Sequence, residues 1–291
     1  MTNVIPDKAG FDYELAFSRN IGLLTRAEQR SLRDYKIAIA GLGGVGGNHL
    51  IGLIRQGFVK FVIADMDNYS IENFNRQYGA EIDTLGEKKS EVMVEKALNI
   101  NPNCDIEVYD CAINRGNLES FLDGVDLAID GIDAFNVKDR RDYINHAHSK
   151  NIPVISAGPI GFGTAYLVFD KKSPNFDKYF GVDENTSEEE MMLSFALGLM
   201  PKMLQKSYMK KINLKQGYGP SSIAGINFAT GAVVSNAIKI LLERGTVKSV
   251  PWVHQYDCYE DKLASVKRTF YGKRDPLRRL KIAIGKRLLN Q

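Results

Sequence analysis

The sequence has little cysteine and lacks a long apolar run. Its 291 residues include three cysteines, Cys104, Cys111 and Cys258, and no Cys-X-X-Cys pair. This excludes a four-cysteine zinc site and a disulfide-rich scaffold, and it is typical of a reducing cytoplasm. The longest apolar stretch, 191–200, is short of the about 20 residues that span a bilayer, and 1–13 has no apolar signal-peptide core. We therefore expect a cytoplasmic protein without a membrane span.

Charge is distributed unevenly along the chain. The 38 basic and 35 acidic residues give a net charge of +3. Residues 261–291 contain ten basic and two acidic residues, which makes this segment +8 and leaves −5 for the rest. A solvated amphipathic helix, docking to an acidic partner and RNA binding are three interpretations of this basic tail; without interleaved aromatic residues, RNA binding is weakly supported.

The first half of the sequence alternates between strand and helix patterns. Short apolar runs predict strands, and the longer amphipathic segments between them predict three helices. The first helix ends at Gly57, and the other two cover 87–100 and 137–149. The predicted strands are 36–40, 59–64, 106–109, 125–130 and 152–157. This order predicts an α/β fold with a Rossmann-like, doubly wound and mostly parallel sheet.

The pattern changes after Asp170. We predict a polar loop over 171–187, a helix over 188–211 kinked at Pro201, a buried helix over 225–242, and added antiparallel strands at 166–169 and 252–256. A short helix over about 276–289 lies in the tail. Helix 188–211 is rich in methionine, which favours core or dimer packing over an adaptable substrate groove. The resulting division is a core with an N-terminal helical arm (1–170), a crossover region with further sheet elements (171–260) and the basic tail (261–291).

A glycine-rich loop follows the first strand. The run GLGGVGG begins at Gly41, and Asp65 ends the second strand 19 residues after Gly46. Glycines let a phosphate approach backbone N–H groups at a helix N-terminus, and a carboxylate at the next strand end can accept both ribose hydroxyls. The pattern fits a dinucleotide or ATP. A tight turn that needs glycine for packing is the structural alternative.

Polar residues beyond the loop favour a triphosphate. Arg76 and Lys89 offer positive charge to phosphates, and Asp133 lies beyond the fourth strand, where a carboxylate can hold Mg²⁺. A nicotinamide enzyme needs none of these residues after its ribose carboxylate. Taken singly, Arg76 and Lys89 are also typical surface charges, and Asp133 is a candidate N-cap of the next helix.

Together these motifs resemble the ThiF/MoeB/HesA adenylyltransferases, which are relatives of the ubiquitin-activating enzymes. The resemblance covers about 17–165 and resumes near 225–242. It rests on the opening Phe17-Ser18-Arg19-Asn20, the glycine loop, the Asn73 to Gln77 run, Lys89, the Asp130 and Asp133 pair, and the run SAGPIGFG that starts at Ser156.

The resemblance implies a role for each motif residue. Gly41, Gly43, Gly44 and Gly46 contact ATP, and Asp65 holds its ribose. Asn73, Arg76, Gln77 and Lys89 form the rest of the nucleotide site, Asp133 binds Mg²⁺, and Arg19 reaches into the site of a partner subunit of a homodimer. Arg19, Arg76, Lys89 and Asp133 are the expected catalytic residues. A substrate carboxylate attacks the α-phosphate of ATP, which gives an acyl-adenylate and pyrophosphate.

The sequence also departs from this family. It lacks the zinc cysteines, no cysteine lies in 170–248, and position 134 is Ala where the family has Asn after the magnesium aspartate. We expect Cys104 and Cys111 to be packing residues and none of the three cysteines to be a nucleophile. The implied reaction therefore ends at the adenylate or passes it to an acceptor on another molecule, without an enzyme-bound thioester.

Several substrates and functions remain open. The carboxylate can belong to the C-terminus of a ubiquitin-like or sulfur-carrier protein, to a peptide or to a small acid. The alternative within the family is a tRNA-modifying dehydratase-type relative that forms the same adenylate. From other classes, an NAD-dependent oxidoreductase shares the glycine loop, and a pseudoenzyme partner would lack part of the set from Arg19 to Asp133.

Overall fold

The computed structural model describes residues 10–209 and 219–289. Eight strands form one sheet in the order β3-β2-β1-β4-β5-β6-β7-β8. In this order, the first five strands (β3, β2, β1, β4 and β5) pair in parallel. The remaining pairs, from β5 to β8, are antiparallel. The strands are β1 (Lys36–Ala40), β2 (Lys60–Ala64), β3 (Asp105–Tyr109), β4 (Leu127–Asp130), β5 (Val154–Ile160), β6 (Gly163–Phe169), β7 (Trp252–Asp257) and β8 (Lys262–Lys267).

Ten α-helices surround the sheet within the described residues. They are α1 (Tyr13–Ala16), α2 (Arg26–Ser31), α3 (Gly44–Gln56), α4 (Lys89–Ile100), α5 (Leu118–Phe121), α6 (Val137–Ser149), α7 (Phe176–Phe180), α8 (Glu188–Leu199), α9 (Ile223–Leu241) and α10 (Arg278–Leu289). Short 3₁₀ turns include Ser18–Asn20 and Ile71–Asn73. The α/β fold with a mostly parallel sheet and added antiparallel strands is confirmed.

Hydrophobic cores fill both faces of the sheet. One face packs against α3 and α9 through residues such as Leu50, Ile54 and Val233. The other face packs against α6, α7 and α8 through residues such as Tyr143 and Phe176. The apolar runs of β1, β2 and β4 are buried because helices cover both sides of these strands.

The region after residue 170 differs from its sequence-based prediction. The expected loop 171–187 contains helix α7, whose aromatic residues Phe176, Tyr179 and Phe180 are buried. The expected kinked helix 188–211 is wrong, because α8 ends at Leu199, ahead of Pro201. Proline lacks a backbone N–H and disfavours helical backbone in the residue before it, so a new turn starts here. The expected helical residues 210–211 lie outside the described residues.

Helix α9 is half-buried rather than buried throughout. Its inner face packs on α3 and the sheet, whereas Asn227, Phe228 and Gly231 are exposed. By length and apolar composition alone, α9 is also the one described helix that could cross a membrane, a property that buried helices of globular proteins share.

The basic segment is more structured than a tail with one helix. The expected boundary at residue 261 falls in the turn between β7 and β8, so β8 is an edge strand of the common sheet. Helix α10 packs on α8, where Arg278 forms an ion pair with Glu190 and Lys286 lies near Glu189. Acidic residues of the chain therefore neutralise part of the positive charge in this segment.

Candidate active site

Three loops meet at the carboxyl ends of β1, β2 and β4. The glycine loop follows β1, the residues from Asp65 follow β2, and the loop from Gly131 follows β4. Strand β1 lies between β2 and β4. The chain adds β2 and β3 on one side of β1 and then returns to add β4 and β5 on the other side, so the strand order reverses at β1. Open parallel sheets bind ligands at such a reversal. The fold thus brings the predicted nucleotide-binding residues to one edge of the sheet.

The glycines of the loop have different surroundings. A Cβ on Gly46 would lie 1.8 Å from the Gly41 carbonyl oxygen, and a Cβ on Gly41 would lie 2.4 Å from that of Gly131. At Gly43 the nearest atom to a Cβ is Gln77 Nε2 at 3.9 Å, whereas at Gly44 it is Ile226 Cδ1 at 3.0 Å. Packing therefore explains Gly41 and Gly46, whereas Gly43 faces open space.

Among the described residues, no side chain caps the start of helix α3 beside this space. Its N-cap is Gly43, which has no side chain to bond the first-turn N–H groups. Such a helix start attracts phosphate. Within the described residues, buried Gln77 Oε1 also lacks a hydrogen-bond partner. A nucleotide fits these observations: its phosphates would accept from the helix N–H groups, and Gln77 Oε1, which is an acceptor, would gain a partner from a hydroxyl or amino group of the nucleotide.

Asp65 is held by two backbone donors. The Leu42 N–H donates to Oδ2 at 2.6 Å, and the Asp67 N–H donates to Oδ1 at 2.8 Å. Burial raises the pKa of the Asp65 carboxyl. Each oxygen retains acceptor capacity. Asp65 can therefore accept hydroxyl groups from a ribose beside the glycine loop.

Arg76 provides an uncompensated positive charge. Its Nη1 donates to the Glu72 carbonyl at 2.8 Å and to Asn75 Oδ1 at 2.9 Å. In the part of the chain that the structure describes, no carboxylate pairs with this guanidinium. Asn48 Nδ2 donates to the carbonyls of Gly44 and Arg76 at 2.6 and 3.1 Å, which ties Arg76 to the start of α3.

Asn73 and Lys89 have defined partners in the structure. Buried Asn73 accepts hydrogen bonds from the backbone N–H and the hydroxyl of Ser70 at 3.0 and 3.1 Å. Lys89 is the first residue of α4, and its buried side chain lies 2.9 Å from Asp67 Oδ2. The sequence interpretation missed Asp67, although the run Asp65-Met66-Asp67 places a second carboxylate nearby.

The two aspartates after β4 differ in accessibility. The Asp130 side chain is 1% exposed, and it accepts hydrogen bonds from Arg140 Nε at 2.7 Å and Ser156 Oγ at 2.5 Å. Asp133 is exposed, and its Oδ1 accepts a hydrogen bond from the Phe135 N–H at 2.9 Å. The N-cap of α6 is Asn136, so the N-cap interpretation of Asp133 is wrong.

A single accessible carboxylate suits Mg²⁺ beside phosphates. The described residues contain no cluster of three or more His, Cys, Asp or Glu side chains that could hold a metal. Magnesium is commonly bound through one or two carboxylates, waters and substrate phosphates rather than in an all-protein cage. Asp133 fits this donor set, whereas Asp130 is already fully engaged.

Arg19 lies away from the glycine loop of its own chain. It belongs to a 3₁₀ turn whose Asn20 Nδ2 donates to the Gln56 carbonyl at 3.1 Å. Gln56 is the last residue of α3, and a helix of 13 residues is about 20 Å long. The exposed Arg19 side chain therefore cannot reach the other end of α3, where the predicted nucleotide-binding residues lie.

The cysteines have different environments. Burial raises the pKa of Cys104 to about 12, so its thiol is uncharged at neutral pH. Cys111 is exposed, so the packing interpretation is wrong for this residue. The Cys258 thiol donates to the Phe162 carbonyl at 2.7 Å.

Comparisons with known proteins reveal relatives over about half of the chain. The tRNA threonylcarbamoyladenosine dehydratase of Haemophilus influenzae is 36% identical over 151 residues, which cover 52% of this chain and 57% of that protein. The sulfur carrier protein ThiS adenylyltransferase of Escherichia coli is 26% identical over 140 residues, covering 48% and 55%. The chain thus matches about half the length of these curated relatives.

A solved structure extends the fold similarity to most of the chain. The structure of E. coli MccB with AMPCPP and MccA has a TM-score of 0.67 and 19% identity, and it covers 89% of this chain and 72% of that one. At this identity the likeness supports the fold alone. A model of the ThiF family matches residues 17–274 of the 291. The chain therefore belongs to the ThiF family.

Proposed function

We propose that the protein catalyses ATP-dependent adenylation of a carboxylate, giving an acyl-adenylate and pyrophosphate. The observation that carries this proposal is the shared location of three groups with unused binding capacity: open Gly43, uncompensated Arg76 and exposed Asp133. An NAD-dependent oxidoreductase has no use for the last two. The names of related adenylyltransferases support the same reaction class.

The site residues can bind and orient ATP without a general base. Asp65 holds the ribose, and the N–H groups at the start of α3 with Gln77 and Asn73 contact the phosphates. Arg76 stabilises the negative charge that develops on phosphate oxygens in the transition state. Lys89 assists through its ion pair with Asp67 or by exchanging that partner for phosphate. The attacking carboxylate is already ionised at neutral pH, so it needs no proton acceptor.

Mg²⁺ bound beside Asp133 would neutralise phosphate charge and polarise the bond to pyrophosphate. Asp133 would be the side chain that holds this ion. Its exposed carboxylate and its hydrogen bond from the Phe135 N–H leave one oxygen free for this purpose.

We further propose that the active form is a homodimer and that Arg19 acts in the partner's site. The distance of Arg19 from its own glycine loop supports this arrangement. Apolar side chains beside both surfaces also favour association: Leu15 and Leu23 near Arg19 are 72% and 75% exposed, and Ile71 near Arg76 is 63% exposed.

The proposed reaction has no enzyme-bound thioester. The high pKa of Cys104 and the hydrogen bond that Cys258 donates to Phe162 support this view. The adenylate is then used directly or passed to an acceptor on another molecule. The three unpaired cysteines also suit a reducing cytoplasm.

The carboxylate substrate has three candidate classes. Three relatives with 30–36% identity are named tRNA threonylcarbamoyladenosine dehydratases, which favours a carboxylate on modified tRNA. The ThiS and SUMO relatives and the MccA complex favour the C-terminus of a carrier protein or peptide. Small acids remain the third class.

ATP–pyrophosphate exchange tests the proposal. We expect exchange to depend on Mg²⁺ and on one substrate class among modified tRNA, carrier proteins, peptides and small acids. Asp133→Ala should reduce exchange by about 100-fold or more, because the Mg²⁺ that would neutralise phosphate charge loses its protein ligand. The matched control is Asp139→Ala, a half-buried carboxylate on α6 that accepts a hydrogen bond from Asn136 Nδ2 and should retain wild-type exchange. Tight NAD binding without exchange for any substrate would refute the proposal.

A further inference from the structure

A buried arginine forms hydrogen bonds with the loop that carries Asp133. Arg140 is the fourth residue of α6, and its side chain is 5% exposed. Its Nε lies 2.7 Å from Asp130 Oδ2, and its two terminal nitrogens donate to the carbonyls of Ile132 and Ala134, the latter at 3.4 Å. One guanidinium therefore contacts main-chain atoms on both sides of Asp133.

The strand end beneath this loop is equally constrained. Asp130 accepts the Ser156 hydroxyl at 2.5 Å as well as Arg140, and its other oxygen accepts the Ile132 N–H at 3.2 Å. Gly131 donates its N–H to the Ala40 carbonyl at 2.9 Å. A Cβ on Gly131 would lie 2.4 Å from the Gly41 oxygen. The loop thus lies against the glycine loop, and shifting one would displace the other.

Among the side chains of the loop itself, Asp133 adds one short-range contact, the hydrogen bond that its Oδ1 accepts from the Phe135 N–H. Position 134 is Ala, so it offers only main-chain atoms, and Asp133 itself is exposed. The guanidinium of Arg140 also lies over the Phe195 ring of α8, 4.8 Å from its centroid, which fixes its plane. Arg140 uses one N–H from each of its three planar nitrogens to bond a carboxylate and two carbonyls at once, and the single ammonium group of a lysine cannot supply this arrangement.

We propose that Arg140 is a positioning residue that holds Asp133 where it can bind the Mg²⁺ of Mg·ATP. The inference rests on the proposed function. Arg140 is buried and does not touch the ion; it acts through the carbonyls of Ile132 and Ala134. Residues that orient a metal ligand typically change metal affinity by about 10–100-fold when altered.

The test is a Mg²⁺ titration of ATP binding, measured by calorimetry or by fluorescence of an ATP analogue without turnover. We expect Arg140→Lys to raise the Mg²⁺ concentration at half-saturation by about 10-fold or more, because lysine keeps the charge but loses the two carbonyl contacts. ATP binding in EDTA should stay at the wild-type level. A merely structural role would lower thermal stability and leave the Mg²⁺ midpoint unchanged.

Arg141→Lys is the matched control. This neighbour is also a buried α6 arginine, but it bonds both oxygens of Asp177, at 2.6 and 2.5 Å, away from the loop. It should lose stability and keep the wild-type Mg²⁺ midpoint. An equal shift in both variants, or no shift in Arg140→Lys, would overturn the proposal.

A second variant covers the case in which Arg140→Lys does not fold. Ser156→Ala removes one donor to Asp130 and leaves the ion pair intact, so it should shift the Mg²⁺ midpoint in the same direction by less. A wild-type midpoint in Ser156→Ala would then overturn the inference. If the wild-type protein itself bound ATP without any Mg²⁺ dependence, this result would contradict the proposed function, and with it the role proposed for Arg140.

Discussion

The two ends of helix α3 use glycine in opposite ways. At the first end, Gly43 leaves open space and has no side chain to cap the helix, next to Gly44, which lies against Arg76. At the other end, Gly57 has a φ of 110°, and a Cβ there would lie 2.2 Å from Gln29 Nε2 and 2.6 Å from the Tyr13 hydroxyl. Gly57 therefore closes the helix beneath the N-terminal arm that carries Arg19.

This contrast distinguishes the proposed binding end of α3, at Gly43, from a packed end, at Gly57. The packed end satisfies its backbone internally, since the Tyr13 hydroxyl donates to the Gly57 carbonyl at 2.8 Å and Asn20 donates to that of Gln56. The binding end leaves donors for a ligand. In the proposed dimer, Arg19 at the packed end of one subunit would complete the binding end of the other.

Subunit complementation gives the largest expected effect. Arg19→Ala and Arg76→Ala should each reduce pyrophosphate exchange by about 100-fold. After subunit exchange in an equal mixture, half of the dimers would hold one intact site, so about a quarter of wild-type activity should return. No recovery above the separate variants would show that Arg19 does not act in the partner's site.

The control for complementation uses two variants at the binding end. Arg76→Ala and Asp133→Ala alter residues of the same subunit's site, so every site in their mixed dimers lacks one group. Their mixture should remain inactive. Recovery in this control would indicate that sites form between subunits in a different way from the one proposed.

Alanine at the two glycines should separate binding from stability. Gly43→Ala adds a methyl group to open space, so we expect about 10-fold weaker ATP binding, equal to about 1.4 kcal/mol, and unchanged thermal stability. Gly57→Ala forces a left-handed residue and should cost at least about 1–2 kcal/mol of stability with wild-type ATP affinity in the folded protein. Calorimetry and thermal unfolding measure the two effects. Equal stability losses in both variants would remove the distinction between the two ends.

The sequence predicted the parallel half of the fold well. The runs 36–40 and 125–130 are apolar because helices bury both faces of central parallel strands, and helix α6 has the predicted bounds 137–149. The antiparallel half was less predictable. Edge strand β8 exposes Lys262, Leu263 and Lys267, so it lacks the clear alternation of a half-buried strand.

The residue types of the site were predictable, but their pairings were not. The glycine loop and the strand ends identify which residues come together, because parallel strands end at one edge of the sheet. The ion pairs of Lys89 with Asp67 and Asp130 with Arg140 join residues 22 and 10 positions apart. These pairs depend on how α4 and α6 pack on the sheet, which no local pattern encodes. The same holds for the position of Arg19 at the far end of α3.

His49, in the middle of α3, gives the smallest expected effect. It is fully buried, with Nε2 donating to the Ala157 carbonyl at 3.3 Å and Nδ1 lying 2.9 Å from the Thr230 hydroxyl of α9. This neutral tautomer joins α3 to both β5 and α9. Burial lowers the pKa of His49 from 6.5 to about 4.

The unfolded chain therefore takes up this proton first as pH falls. The stability that neutral His49 provides is present above about pH 6.5 and is lost between there and about pH 4. At about pH 5.5 the loss should be about 1 kcal/mol, measured by urea unfolding. His49→Gln should remove this part of the pH dependence, whereas His146→Gln, which alters an imidazole bonded to Glu119 at the surface, should keep it. If His49→Gln retained the full acid dependence, protonation of His49 in the middle of α3 would not be the cause of this loss of stability.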